Sequence, residues 1–314
     1  MTAYALRRVL IAIPTLLVIS LIVYSVLALA PGDPLSSLAA STELPAEVRE
    51  NIRIQFGLDQ PIYVRYFKWL AAYIQGDWGY SFASRLPTQK LISLRIPTTL
   101  WVIGISYLIA VAIAIPLGVA TAARQYSKFD HIFTALSFVG FSLPTFFTGV
   151  ILIIVFSVQL RWLPMVYNQQ VTDPIEWIKQ AIMPITVLAL LQAATLSRYV
   201  RASMLDNLNQ DYARTARAKG LAERVVVTRH VLRNALVPVV TLIALQLPTV
   251  FTGAVVTEQI FRVPGIGSLF ISSIQNNDTP VIMAIIMVFA ALVVFFTLVA
   301  DLLYGVLDPR VRYR

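Results

Sequence analysis

VIMAIIMVFAALVVFFTLVA, residues Val281 to Ala300, carries no charged side chain. As a helix rising ~1.5 Å per residue it measures about 30 Å, the thickness of a bilayer's hydrocarbon core. A helix on the surface of a soluble domain keeps its apolar residues to one stripe, whereas this stretch is apolar on every side. It reads as a membrane span.

Working outward, five more uncharged stretches follow the same rule: Val9 to Gly32, Thr98 to Ala123, Ile132 to Leu160, Gln180 to Ser197 and Asn234 to Thr257. Of 314 residues, 58% are hydrophobic and 13% charged, against about 25% charged in an ordinary soluble domain. The expected fold class is an all-α membrane protein with about six transmembrane helices. The first stretch exceeds the ~7–15 apolar residues of a signal-peptide core, so it is read as an uncleaved span containing Pro14. Pro116, Pro144, Pro184, Pro238 and Pro248 fall in or at the ends of the others. A bundle tolerates such prolines because neighbouring helices satisfy the freed carbonyls. The chain divides into an N-terminus and first span (1–30), an extracytoplasmic segment (31–97) and a five-helix core (98–314). The core spans are placed at 98–123, 132–160, 180–197, 234–257 and 281–305, with a polar loop at 198–233.

Charge sets the orientation. With the N-terminus inside, the inner segments hold 15 basic residues against five acidic ones, and the outer segments hold 10 of each. Lys and Arg concentrate in cytoplasmic loops, so both termini are expected inside. The formal net charge of +9 is then a topology signal and calls for no nucleic acid.

Within 31–97, Leu44-Pro45 is expected to open a short helix and Gly57 to Pro61 to turn. Tyr63, Tyr66, Phe67, Leu70, Tyr73 and Ile74 recur at helical spacing. Such an aromatic helix suits a membrane surface or the packed core of an extramembrane cap.

Several chemistries are excluded. There is no cysteine, hence no disulfide or thiolate metal site. His131 and His230 lie far apart among basic residues, and no Gly-Lys-Ser/Thr phosphate loop is present. A membrane-embedded enzyme would need paired carboxylates, a metal set or a Ser/Lys dyad at bilayer depth, and the uncharged spans supply almost none of these. An ion-driven carrier would need several buried acids, and only Asp301 qualifies. It lies near the inner end of the last span and is read as the partner of an inside arginine.

In the loop at 198–233, Met204, Leu208, Tyr212 and Ala216 recur every four residues and mark one face of a helix. Arg217 and Lys219 complement the negative C-terminal dipole, and Gly220 suits a left-handed cap. A second helix is expected from Ala222 through Val225, Arg229 and Leu232. The product is a basic helix–turn–helix projecting from the membrane, able to hold topology or to meet a partner.

This loop resembles a known family. Asp211-Tyr-Ala-Arg-Thr-Ala-Arg-Ala-Lys-Gly-Leu221, followed by Arg229-His-Val-Leu-Arg-Asn-Ala-Leu-Val-Pro238, is similar to the "EAA" loop of ABC importer permeases, in the form used by the dipeptide/oligopeptide/nickel branch. Ala30-Pro-Gly-Asp-Pro34, Phe56-Gly-Leu-Asp-Gln-Pro61, Gly76-Asp-Trp-Gly-Tyr-Ser81, Glu258-Gln-Ile-Phe-Arg-Val-Pro-Gly-Ile-Gly267 and Asp301-Leu-Leu-Tyr-Gly-Val-Leu-Asp-Pro-Arg310 extend the likeness over the whole chain. The glutamate of the broad pattern falls on Arg214, its alanines on Thr215 and Ala216, and a later proline on Arg233. These departures narrow the resemblance to the peptide branch.

The resemblance implies a type I ABC importer permease fold in the bacterial inner membrane, importing dipeptides or oligopeptides. Nickel chelates, glutathione and oligosaccharides are the alternatives. It implies a second homologous permease in a heterodimer, one or two ATPase subunits and an extracytoplasmic solute-binding protein. No cofactor is expected on this chain, with ATP and magnesium held by the partner subunits. Asp211, Arg214, Thr215, Ala216, Arg217, Lys219 and Gly220 would form the loop that docks on the ATPase. Ser142, Thr145, Gln246, Thr249 and Thr252 are candidates for lining the pathway, or for helix–helix hydrogen bonds. Glu258 and Arg262 are candidates for an outer gate or a binding-protein contact.

Overall fold

The computed structural model describes residues 2–29 and 60–307. The helix expected at Leu44-Pro45 and the Gly57–Asp59 part of the expected turn lie outside the described residues. The elements are α1 (Thr2–Leu29), α2 (Ile62–Ile74), α3 (Thr88–Ala123), α4 (Lys128–Ser142), α5 (Thr145–Leu152), α6 (Pro174–Leu208), α7 (Asp211–Ala218), α8 (Glu223–Val225), α9 (Leu232–Phe261), α10 (Ile266–Gln275) and α11 (Thr279–Leu307). π-helical turns at Ile153–Gln159 and Val226–Val231 extend α5 and join α8 to α9. Among the described residues the only β pairing is an isolated bridge between Tyr80 and Pro87.

Five helices are long and apolar enough to cross a bilayer, and two bent pairs raise the number to as many as seven. The expected span at 132–160 is one of those pairs: α4 and the α5 segment meet at 104°. Pro144 is the cause. A residue before proline is driven out of the helical region, and Leu143 sits at ψ 124°. The span expected at 180–197 is longer than its uncharged run. α6 starts at an Asp173 cap, whose carboxylate accepts from the Ile175 N–H at 3.0 Å, with Pro174 in the first turn. It then continues to Leu208, so residues 198–208, expected in the inside loop, are helical. α3 likewise begins ahead of the expected residue 98.

The centre of the bundle is the α3–α6 pair. Ala110, Ala114, Gly118 and Ala122 recur every four residues along α3 and all are buried. This stripe of small side chains lets two backbones approach. A Cβ at Gly118 would stand 2.6 Å from Val200 Cβ and 2.7 Å from the Ser197 carbonyl. α4 runs antiparallel to α6, with Gly140 against Ala194, Ser137 hydrogen-bonded to Ser197 at 3.3 Å, and Asp130 on Arg201.

α1 lies on the outside of this bundle with most of its surface exposed. It is tied to α11 by Arg8 and Asp301 at 3.0 Å, the arginine partner expected for that carboxylate. Ser20 and Tyr66, 2.9 Å apart, tie it to α2. The aromatic helix α2 packs on one side only. Tyr66 is buried against Tyr24, while Tyr63, Phe67 and Ile74 are exposed.

Candidate coupling site and transport pathway

α7 is separated from α6 by Asn209 and Gln210 alone. The four-residue pattern that suggested one helix therefore spans two: Met204 and Leu208 belong to α6, Tyr212 and Ala216 to α7. The buried face of α7 is Ala213 and Ala216, packed with Met204, Val226, Val227 and Val231. Tyr212 turns outward and donates to Asn207 Oδ1 at 2.6 Å. Gly220 then reverses the chain at φ +76°, with open space where a Cβ would lie. A side chain there meets no neighbour but is strained by the backbone itself.

Arg217 locks this corner. Its Nε and Nη2 donate to both oxygens of Glu223 at 2.9 and 2.7 Å, and its Nη1 donates to the Leu208 carbonyl at 3.0 Å. One guanidinium thus joins the end of α6, the end of α7 and the start of α8, and Glu223 raises its pKa above the ordinary arginine value. Asp211 and Arg214 stay exposed, 3.8 Å apart. Lys219 is exposed, and the exposed Thr215 returns its hydroxyl to the Asp211 carbonyl at 2.8 Å.

Earlier on α6, Arg201 donates its Nε and Nη2 to the buried Asp130 at 2.7 and 2.8 Å. Tyr126 N–H and the Thr134 hydroxyl complete its shell at 3.1 and 3.2 Å. α4 therefore carries a fixed ion pair at one end and the 104° bend at the other. Ser142 and Thr145 stand on either side of that bend. Ser142 is exposed, and its hydroxyl donates back to the Phe138 carbonyl at 2.8 Å.

At the far end of α9, Glu258 is 1% exposed. Its carboxylate accepts from the Thr99 hydroxyl at 2.6 Å and from the Ser268 N–H at 3.0 Å, while Thr99 accepts from the Ile266 N–H at 2.8 Å. The α3, α9 and α10 helices meet on this one side chain. Gly265 is required beside it, since a Cβ there would lie 2.0 Å from Glu258 Oε1. A third buried carboxylate, Asp278, receives the Ser81 hydroxyl and the Phe82 N–H, the latter at 2.9 Å. It fastens the segment before α3 to the turn before α11.

The sequence matches agree with this architecture. Residues 114–313 match the family described as binding-protein-dependent transport system inner membrane component, and residues 1–103 match the N-terminal part of such membrane components. The chain belongs to the binding-protein-dependent transport permeases. It is 44% identical to the oligopeptide transport system permease protein AppB of Bacillus subtilis, over 100% of both chains. It is 39% identical, again over 100% of both, to the glutathione transport system permease protein GsiC of Escherichia coli K12.

Within the permease, the residues nominated from sequence separate into three groups. Asp211, Arg214, Thr215, Lys219 and Gly220 form one exposed corner, whereas Ala216 and Arg217 hold that corner to the bundle. Ser142 and Thr145 mark the bend, and Gln246 is half-buried on α9. Thr249 and Thr252 also lie on α9, with side chains outside the described residues. For Glu258, the structure corrects the expected contact with a binding protein and leaves the expected outer gate as it was. A carboxylate closed in by three helices presents no surface to a binding protein. Arg262, one turn on, is exposed and caps α9 in the left-handed conformation at φ 53°. A cavity of about 700 Å³ between α1, α2 and α11 contains none of the nominated residues.

Sequence reasoning missed Asp130 with Arg201. Ser127 followed three residues later by Asp130 is a helix-start signal, and Ser127 does cap α4, accepting the Asp130 N–H at 3.1 Å. Nothing local points Asp130 at an arginine 71 residues away.

Proposed function

We propose that this permease forms half of the transmembrane pathway of an ATP-driven peptide importer, working with a second permease, ATPase subunits that hold ATP and magnesium, and a solute-binding protein. Full-length likeness to an oligopeptide permease supports the cargo class. The orientation follows from the Lys and Arg distribution, with both termini and α7 on the cytoplasmic side. The observation that carries the mechanism is the rigid corner at α7. A flexible loop would absorb a push from a moving ATPase. Here a helix is held by buried alanines and by the three hydrogen bonds of Arg217, so displacement passes to α6 and α9 together. α6 is fastened to α4 through Arg201 and Asp130, which carries the displacement towards the bend at Ser142–Pro144. The coupling is a two-state movement of packed helices.

The test is Gly220→Val in the full complex reconstituted in vesicles. The chain still inserts and the complex hydrolyses ATP, but peptide uptake falls about tenfold or more, because the strained turn displaces the exposed corner. Normal uptake by this variant refutes the coupling role.

Glutathione is the second reading, favoured by the 39% identity to a glutathione permease over the whole chain. Uptake of a labelled tetrapeptide and of glutathione by the same vesicles decides between them. Saturable glutathione uptake with no tetrapeptide uptake would reverse the assignment.

A further inference from the structure

Arg198 occupies an unusual place on α6. It directly follows the uncharged run Gln180 to Ser197, so its long side chain could reach the cytoplasmic interface, as arginines near span ends commonly do. It does the opposite. Side chains on a helix lean towards the N-terminus, and Arg198 leans back along the bundle until its guanidinium carbon lies 5.1 Å from the ring centre of Phe138 and 4.4 Å from that of Phe141. Those phenylalanines come six and nine residues after Ile132, where the uncharged run of α4 begins. At ~1.5 Å per residue, that sets the cation about 9–14 Å along α4 from the start of its uncharged run.

No carboxylate among the described residues pairs with it. Asp130, on the same helix as the two rings, is taken by Arg201. Arg198 Nε is buried without a hydrogen-bond partner. Phe138 and Phe141 are themselves 53% and 51% exposed, so the cation lies just beneath an open face of α4. That face ends at Ser142 and the 104° bend. A guanidinium at this depth is not stable facing lipid, so such a face looks onto water or onto protein. Its two aromatic neighbours favour a planar cation and supply no counter-charge.

We infer that Arg198 is a cargo subsite on the pathway face, and that its ligand is a carboxylate, namely the C-terminal carboxylate of the transported peptide. The planar guanidinium fork matches a carboxylate in two-point geometry, and Phe138 and Phe141 flank the seat with apolar surface for the adjoining side chain. A single unpaired cation recognises the group every linear peptide shares while leaving side chains unread. The inference rests on the reading of this chain as a peptide permease.

The experiment uses the complete complex in vesicles, with one tetrapeptide supplied as the free acid and as its C-terminal amide. Each variant's uptake is divided by the wild-type rate for the same cargo, so that the binding protein's own preference cancels. Arg198→Gln lowers free-acid uptake about tenfold or more, as expected for losing a charge-assisted pair, and lowers amide uptake by no more than about twofold. Arg198→Lys keeps the charge without the fork, and lowers free-acid uptake a few-fold with the same sparing of the amide; it decides the matter if the glutamine variant fails to assemble. Equal loss for both cargoes shows a contact with the second permease or a packing role and overturns the inference, as does no loss for either. If the wild-type complex carries neither peptide, the peptide-permease reading itself fails and the subsite falls with it, whereas carriage of both without discrimination by the variants defeats the subsite alone.

Discussion

Asp130, in the first turn of α4, and Glu258, in the last turn of α9, are both almost fully buried, yet they are held by different means. Asp130 faces an arginine in two-point contact and also takes a backbone N–H and a hydroxyl. Glu258 is held at hydrogen-bond distance by a hydroxyl and a backbone N–H, both neutral donors. A charge pair is strong but depends on both partners, because removing one strands the other. A carboxylate cradled by a turn depends instead on the backbone keeping its shape, and here the shape depends on Gly265. One carboxylate ties two helices together through side chains, and the other holds a corner where α9 and α10 meet at 80°.

The largest effect is therefore expected where the cradle is broken outright. Gly265→Ala puts a methyl 2.0 Å from Glu258 Oε1, so either the turn or the carboxylate must leave its place. A cost of about 3–5 kcal/mol is expected from overpacking plus lost hydrogen bonds, seen as a sharp fall in the unfolding temperature of the purified complex. Unchanged stability would mean that the α9–α10 corner yields easily and is no anchor.

Asp130→Asn comes next. It leaves Arg201 facing a neutral amide, and since Arg201 is about one-quarter exposed, the cost is set at ~2–4 kcal/mol, below that of a fully buried pair. Transport should fall further than stability alone explains, because α4 is loosened from α6. Glu258→Gln is the mildest, at ~1–3 kcal/mol, because an amide oxygen still accepts one of the two bonds. Thermal unfolding of the two isosteric variants side by side sharpens the contrast. Equal losses would mean that Glu258 depends on its negative charge as heavily as Asp130 does.

Sequence legibility followed the same division. The Val281–Ala300 span and the Gly220 turn are readable because their causes are local: an uncharged run of the right length, basic residues at a helix end and a glycine that adopts φ +76° without strain. The bend at Leu143 was only half readable. Pro144 was noted within an uncharged run, but a proline can kink a span gently or fold it back by 104°, and packing decides which. The length of α6 was missed because charge was used to end a span, whereas a helix continues through charged residues as long as its backbone bonds are made.

By itself, then, the order of residues determined that this is an all-helical membrane protein, which family it belongs to, and that its basic turn at Gly220 is its most informative loop. Only the tertiary structure decided that Glu258 faces inward, that Asp130 meets Arg201, and that Arg198 turns back between two phenylalanines. The reason is range. Hydrophobic length and turn chemistry act within a few residues, while a buried charge takes its meaning from a partner that folding brings to it from another helix, or leaves it without.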